Sequence, residues 1–112
     1  MPVLRLHPEA SRELESALQL YADRSPVAAA AFLREVEQGL ERIQAAPGRW
    51  HRVGALARRY LLARFPFSLV YRVVSGDIQL LAVAHDRRRP GYWRSRNSSV
   101  NTNRWDFRSQ RT

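Results

Sequence analysis

Nine consecutive residues, His85-Asp86-Arg87-Arg88-Arg89-Pro90-Gly91-Tyr92-Trp93, carry the densest chemistry in this chain of 112 residues. Histidine is the natural proton acceptor near neutral pH. Arginine presents a planar fork that suits phosphate and carboxylate and also stacks on rings. Tyrosine and tryptophan next to such a run can stack on a nucleobase. Each group also has a plainer use. His85 can be a structural histidine ending a buried strand and bonded to a backbone carbonyl. Arg87, Arg88 and Arg89 can form a solvated basic turn, and Tyr92 and Trp93 can cap the open end of a sheet. The other two histidines, His7 and His51, are scattered, and no paired carboxylates accompany any of the three, so no metal and no cofactor is expected.

The charge around this segment is uneven. Residues 1–47 hold five Arg and seven acids, whereas residues 48–112 hold fourteen Arg and three acids. The overall formal charge is +9, with no lysine anywhere. Codon usage in a GC-rich genome accounts for arginine replacing lysine but not for the asymmetry. A basic half of this kind calls for an anionic partner, either nucleic acid or an acidic protein that covers it. There are no cysteines, which excludes disulfides and thiolate metal sites. The longest apolar stretch, Val27 to Leu33, is seven residues and cannot cross a membrane. The N-terminus lacks the apolar core of a signal peptide, so a cytoplasmic protein without membrane contact is expected.

The segment must be positioned by the elements before it. Val3 to Leu6 alternates apolar and polar residues and reads as an edge strand. Pro8 and Glu9 then open a helix, since proline fits the first turn and an acid suits the positive end of the helix dipole. Leu14, Ala17, Leu18 and Tyr21 form its apolar stripe, with Glu13, Glu15, Gln19 and Asp23 facing elsewhere. Ser25-Pro26 ends this helix and caps a second one. The second helix buries Ala29, Phe32, Leu33, Val36, Leu40 and Ile43, leaves Arg34, Glu35, Glu37, Glu41 and Arg42 outside, and stops at Pro47-Gly48.

Gly48 to Ala57 reads as a loop, with Trp50 covering the core edge and His51 solvated. Three strands follow, at about Arg58–Phe65, Phe67–Val74 and Ile78–His85. Pro66 makes the first connection a bend. Ser75-Gly76-Asp77 makes the second a hairpin turn. The third strand is apolar on both faces and should be central. Residues 97–112 are polar and aperiodic, and are expected to stay flexible or to order only on binding, with Trp105 and Phe107 as the available anchors.

Three segments resemble the RelE/ParE superfamily of bacterial type II toxins, and within it the ParE-like plasmid-stabilisation branch. They are SPVAAAAFLREVEQGLERI in the second helix, RRYLLARFPFSLVYRV in the sheet and LAVAHDRRRPGYWRSR at the end. The resemblance spans about residues 3–96. It implies a growth-arresting toxin neutralised by a cognate antitoxin in a hetero-oligomer. An acidic antitoxin segment would suit the basic half.

The superfamily divides on its target. One branch cleaves mRNA in the ribosomal A site without metal. That chemistry needs a base for the 2′-OH proton, cations on the phosphate and an acid for the leaving oxygen. In that branch an arginine commonly sits two residues before a mid-sheet Val-Tyr pair. The pair in this chain is Val70-Tyr71, and Ser68 occupies the arginine position. A nuclease would therefore draw on His85, Arg87, Arg88 and Tyr92 as its catalytic set. The other branch, ParE, poisons DNA gyrase by binding and needs no such set. In either case Arg64, Arg72, Arg89, Trp93 and Arg94 are the candidates for contacting target or nucleic acid.

The reading adopted is an α+β toxin domain over residues 1–96. Its αα-hairpin packs on one face of a small antiparallel-rich sheet in the order β-α-α-β-β-β, and 97–112 is a tail. The expected function is ParE-like inhibition of gyrase. The alternative is a RelE-like, ribosome-dependent mRNA endoribonuclease. A third reading is an inactive relative retained as a partner in repression.

Overall fold

The structure, a computed structural model, describes residues 2–97 and 103–104. Strand β1 (Leu4–Leu6) leads into helices α1 (Pro8–Arg24) and α2 (Pro26–Ala45). Strands β2 (His51–Val53), β3 (Ala57–Leu61), β4 (Phe67–Val74) and β5 (Asp77–His85) follow. A single 3-10 turn (Arg94–Asn97) and the two-residue strand β6 (Asn103–Arg104) complete the order. One mixed sheet runs β2-β3-β4-β5-β1-β6, parallel at β1–β5 and antiparallel elsewhere. The expected N-terminal edge strand lies beyond β5, and only β6 adds outside it. The rest of the 97–112 tail, with Trp105 and Phe107, lies outside the described residues.

The helices start where their caps sit. His7 Nδ1 accepts the Glu9 N–H at 3.1 Å, and Ser25 Oγ accepts the Ala28 N–H at 3.0 Å. Each side chain satisfies one of the orphan donors of a first helical turn. Burial lowers the pKa of His7, helped by the Arg96 charge, which keeps Nδ1 free to accept. The two-residue hairpin between β4 and β5 has Ser75 at φ 52° and Gly76 at φ 81°. Two positive φ values match the right-handed twist of the strands it joins.

The helical hairpin covers one face of the sheet. Leu14, Ala17 and Tyr21 from α1 and Phe32, Val36, Leu40 and Ile43 from α2 are buried against Phe67, Leu69 and Tyr71 of β4 and Ile78, Leu80 and Val83 of β5. Tyr21, Phe32, Phe65 and Phe67 make an aromatic cluster, with the rings of Phe32 and Phe67 5.3 Å apart. At Gly39 the helix comes so close that a Cβ would lie 2.8 Å from Leu69 Cδ1 and 2.9 Å from the Tyr60 ring.

A bulge sets the pattern of β5. Val70 pairs with Ala82 and Tyr71 with Leu80, so Leu81 has no opposite number. The extra residue inverts the alternation. Leu80 and Val83 both face the helices, whereas Leu81 and Ala82 both join a second cluster on the open face with Ala57, Val70 and Trp93. This is why β5 reads as apolar on both sides.

Three expectations need correction. The 48–57 loop contains β2, which pairs with the outer edge of β3, and β3 ends at Leu61 rather than at Phe65. Glu35 and Glu37, expected outside, are buried at 8% and 7% exposure. Glu35 is buried because its Oε1 accepts the backbone N–H groups of Ala63 and Arg64, at 2.8 and 3.1 Å, where the chain bends before Pro66.

Candidate functional site

After His85 the chain leaves β5 through a series of tight turns. The Arg88 N–H bonds His85 O, Tyr92 bonds Arg89 O, Arg94 bonds Gly91 O and Arg96 bonds Trp93 O. Gly91 makes the sharpest of them at φ 79°, and a Cβ there would lie 2.9 Å from the Arg94 guanidinium. The turns fold the basic segment back over the open face, where Trp93, 8% exposed, plugs the second cluster.

One carboxylate anchors this segment. Glu13 of α1 accepts the Val83 N–H at 3.0 Å, the Tyr92 hydroxyl at 2.7 Å and two Arg96 N–H groups at 2.9 and 3.1 Å. Arg96 Nη1 also donates to Leu81 O at 3.1 Å. The pairing of β1 with β5 stops at Leu80. Glu13 and Arg96 thus supply the partners for Val83 N–H and Leu81 O just beyond the end of β1, where a buried strand edge would otherwise lack them. The Tyr92 ring lies between two guanidinium groups, 3.9 Å from Arg88 and 5.0 Å from Arg96. Burial, and then the hydrogen bond and charge of Glu13, push its pKa well above the ordinary tyrosine value.

His85 closes the end of β5 with its ring edge-on to Phe67 at 5.0 Å. Its Nδ1 accepts the Arg87 backbone N–H at 3.0 Å. In the neutral ring the proton therefore sits on Nε2, and the accepting nitrogen is engaged by the backbone. The bond runs to an N–H rather than to the carbonyl expected of a structural histidine.

The turns and the strands enclose a concavity of about 530 Å³. Arg59 of β3 lies on one side, Arg88, Arg89 and Arg94 on the other, and Ser68 and His85 also line it. Ser68 is 6% exposed, and its hydroxyl has no hydrogen-bond partner among the described residues. The Arg59, Arg89 and Arg94 guanidinium groups likewise have no ion pair or hydrogen bond among the described residues. The groups gathered are mostly hydrogen-bond donors, with Asp86 the acidic member. Such a set suits an anion.

The structure brings together His85, Arg88, Arg89, Tyr92, Trp93 and Arg94 of the residues singled out from the sequence, and separates Arg64, Arg72 and Arg87. Arg87 is exposed and does not line the concavity. Arg64 donates to Glu35 Oε2 at 2.9 Å at the β3–β4 bend. Arg72 donates to Gln79 Oε1 at 2.7 Å, toward the hairpin end of β4. Neither lines the concavity with Ser68. Trp93 is packed rather than presented. Sequence reasoning missed Glu13, Arg59 and Arg96. Strand alternation could have flagged Arg59, which shares a face with Leu61. Nothing local marks Glu13, which sits among other acids on a helix. Among the described residues no three His, Asp or Glu side chains gather as a metal site requires, and no helix is long and apolar enough to cross a membrane.

Comparison with known proteins agrees with this architecture. The model of the ParE toxin of the type II toxin–antitoxin system parDE matches residues 4–90. Among solved structures, a chain of the chromosomal ParDE toxin–antitoxin system from P. aeruginosa superposes with a TM-score of 0.66 at 24% identity. The match covers 76% of this chain and 96% of that one, and at this identity it speaks for the fold. No curated protein sequence matches. With the family match covering most of its length and the helical hairpin and sheet in the same arrangement, the chain belongs to the ParE toxin family of type II toxin–antitoxin systems.

Proposed function

We propose that this toxin arrests growth in the cytoplasm by binding DNA gyrase, the target of its family, and that a cognate antitoxin neutralises it in a hetero-oligomer. The observation that carries the reading is the state of the two proton-transfer groups. The accepting nitrogen of His85 is engaged by the Arg87 N–H, and the Tyr92 proton is donated to Glu13. A ribonuclease needs the first free to take a proton and the second free to give one. A tyrosine whose pKa is raised by burial and a carboxylate is a poor acid near neutral pH. The arginine that such enzymes place mid-sheet is Ser68 in this chain. A binding poison needs none of these, and the open basic concavity is available to it.

The test is induced expression without antitoxin, following a DNA-damage reporter and a protein-synthesis label together. The expected result is a DNA-damage signal ahead of any fall in translation. Translation collapsing first, with mRNA cut in coding frames, would overturn the proposal.

A further inference from the structure

The concavity on the open face gathers several donors that have no partner among the described residues. Arg42, Arg52, Arg58, Arg64, Arg72 and Arg96 all donate to protein oxygens. Arg59, Arg89 and Arg94 do not, and all three line this one cavity of about 530 Å³. That volume lies within the range of about 300–1,000 Å³ usual for ligand sites. Ser68 contributes a hydroxyl that is 6% exposed and unpartnered among the described residues. A buried hydroxyl without a partner is costly, and a ligand acceptor removes that cost.

We infer that this concavity binds the phosphodiester backbone of a nucleic-acid strand. The donors arrive from three directions: Arg59 from β3, Ser68 from the sheet between the two sides, and Arg89 and Arg94 from the turns. A tetrahedral phosphate offers oxygens in several directions to donors that converge in this way. Arg72 lies four residues along β4 from Ser68 on the same face, roughly 13 Å away. A chain of anions leaving the concavity would meet it, as a single small anion would not. The proposal rests on the gyrase reading only in naming DNA as the source of the strand.

The test measures binding of a labelled single-stranded 12-mer to the purified toxin by fluorescence anisotropy, between 50 and 200 mM salt. Three arginine–phosphate contacts give a slope of log affinity against log salt of about −2, a loss of about 15-fold over that range. Arg59→Ala, Arg89→Ala and Arg94→Ala should each reduce the slope by about 0.7, and Ser68→Ala should weaken binding about tenfold. Arg34→Ala, an equal charge loss on an exposed position of α2, should change neither. Thermal melts confirm that each variant is folded. Tighter binding of DNA than of the matching RNA supports the site with DNA as its source. Tighter RNA binding supports the same site with RNA as its source. No binding to either strand at 50 mM salt overturns the inference. So does a loss in Arg34→Ala equal to that in Arg89→Ala. Displacement by polyglutamate at equal charge also overturns it, in favour of an acidic peptide. Because gyrase is absent from the assay, DNA binding without a DNA-damage response in cells would sink only the gyrase reading. The converse would sink only the phosphodiester site.

Discussion

Replacing Glu13 should do more damage than replacing any other acid on the helices. The Glu13 and Arg96 side chains are only 16% and 12% exposed. Glu13→Ala leaves the Arg96 cation and the Val83 N–H without their partner and frees the Tyr92 hydroxyl. Removing one member of a buried ion pair costs about 3–5 kcal/mol, and an orphaned backbone N–H costs about 1–3 kcal/mol. Water reaching the strand edge relieves part of both, so the expected net loss is about 3 kcal/mol. For a domain of this size that lowers Tm by roughly 12–24 °C. Glu13→Gln should fall between the two proteins. Its amide oxygen can still accept the Val83 N–H, but its NH2 group is set against Arg96 and cannot replace the charge. The assay is thermal and urea unfolding of Glu13→Ala, Arg96→Ala and the double variant. The double should lose less than the two singles together by at least about 1 kcal/mol, because both singles break the same bonds. A loss below about 1 kcal/mol for Glu13→Ala, or additive singles, would refute the clamp.

Tyr92→Phe removes only the hydroxyl, so growth arrest should persist in the induction assay, whereas a nuclease using this tyrosine as its acid would be silenced. Because the folded Tyr92 pKa is raised, its contribution to stability is complete below about pH 10 and is lost above it. The alkaline loss seen in urea midpoints should therefore shrink in this variant, with Tyr71, raised by burial, supplying part of the remainder. Burial alone would raise the Glu35 pKa, but hydrogen bonds from Arg64 and Ala63 outweigh it and hold the carboxyl below its ordinary value. That contribution is present above about pH 4.3 and lost as pH falls through the folded value, so Glu35→Ala should flatten the acid limb of the stability curve. Gly39→Ala should destabilise by about 1–3 kcal/mol through overpacking against Leu69 and Tyr60; an unchanged melt would mean that α2 sits further from the sheet.

Much of the fold was legible because its signals are local. Pro8, Ser25-Pro26 and Pro47-Gly48 act on their own backbone and mark helix ends wherever they occur. The period-2 pattern of Phe67 to Tyr71 and the Ser75-Gly76 turn likewise depend on neighbours a few residues away. Strand β2 was not legible, since three residues carry no periodicity and pair only because β3 offers an edge. The site was half legible. His85, Arg88, Arg89, Tyr92 and Arg94 are close in sequence and therefore close in space. Arg59 and Glu13 join them only through the sheet and the helix packing.

Sequence alone therefore determined the order of the longer elements, the helical hairpin over a small sheet and the basic exit after His85, because each rests on steric and hydrophobic preferences within a few residues. Tertiary structure decided what the charged groups do. Glu13 and Glu35 became internal anchors because strand-edge and bend N–H groups distant in sequence came within reach of them. Arg64, Arg72 and Arg96 were paired with side-chain oxygens of the protein, while Arg59, Arg89 and Arg94 were left open around Ser68. A charged side chain has the same local preferences in either role, and only the partners that the fold brings within about 3 Å tell an anchor from a binding group.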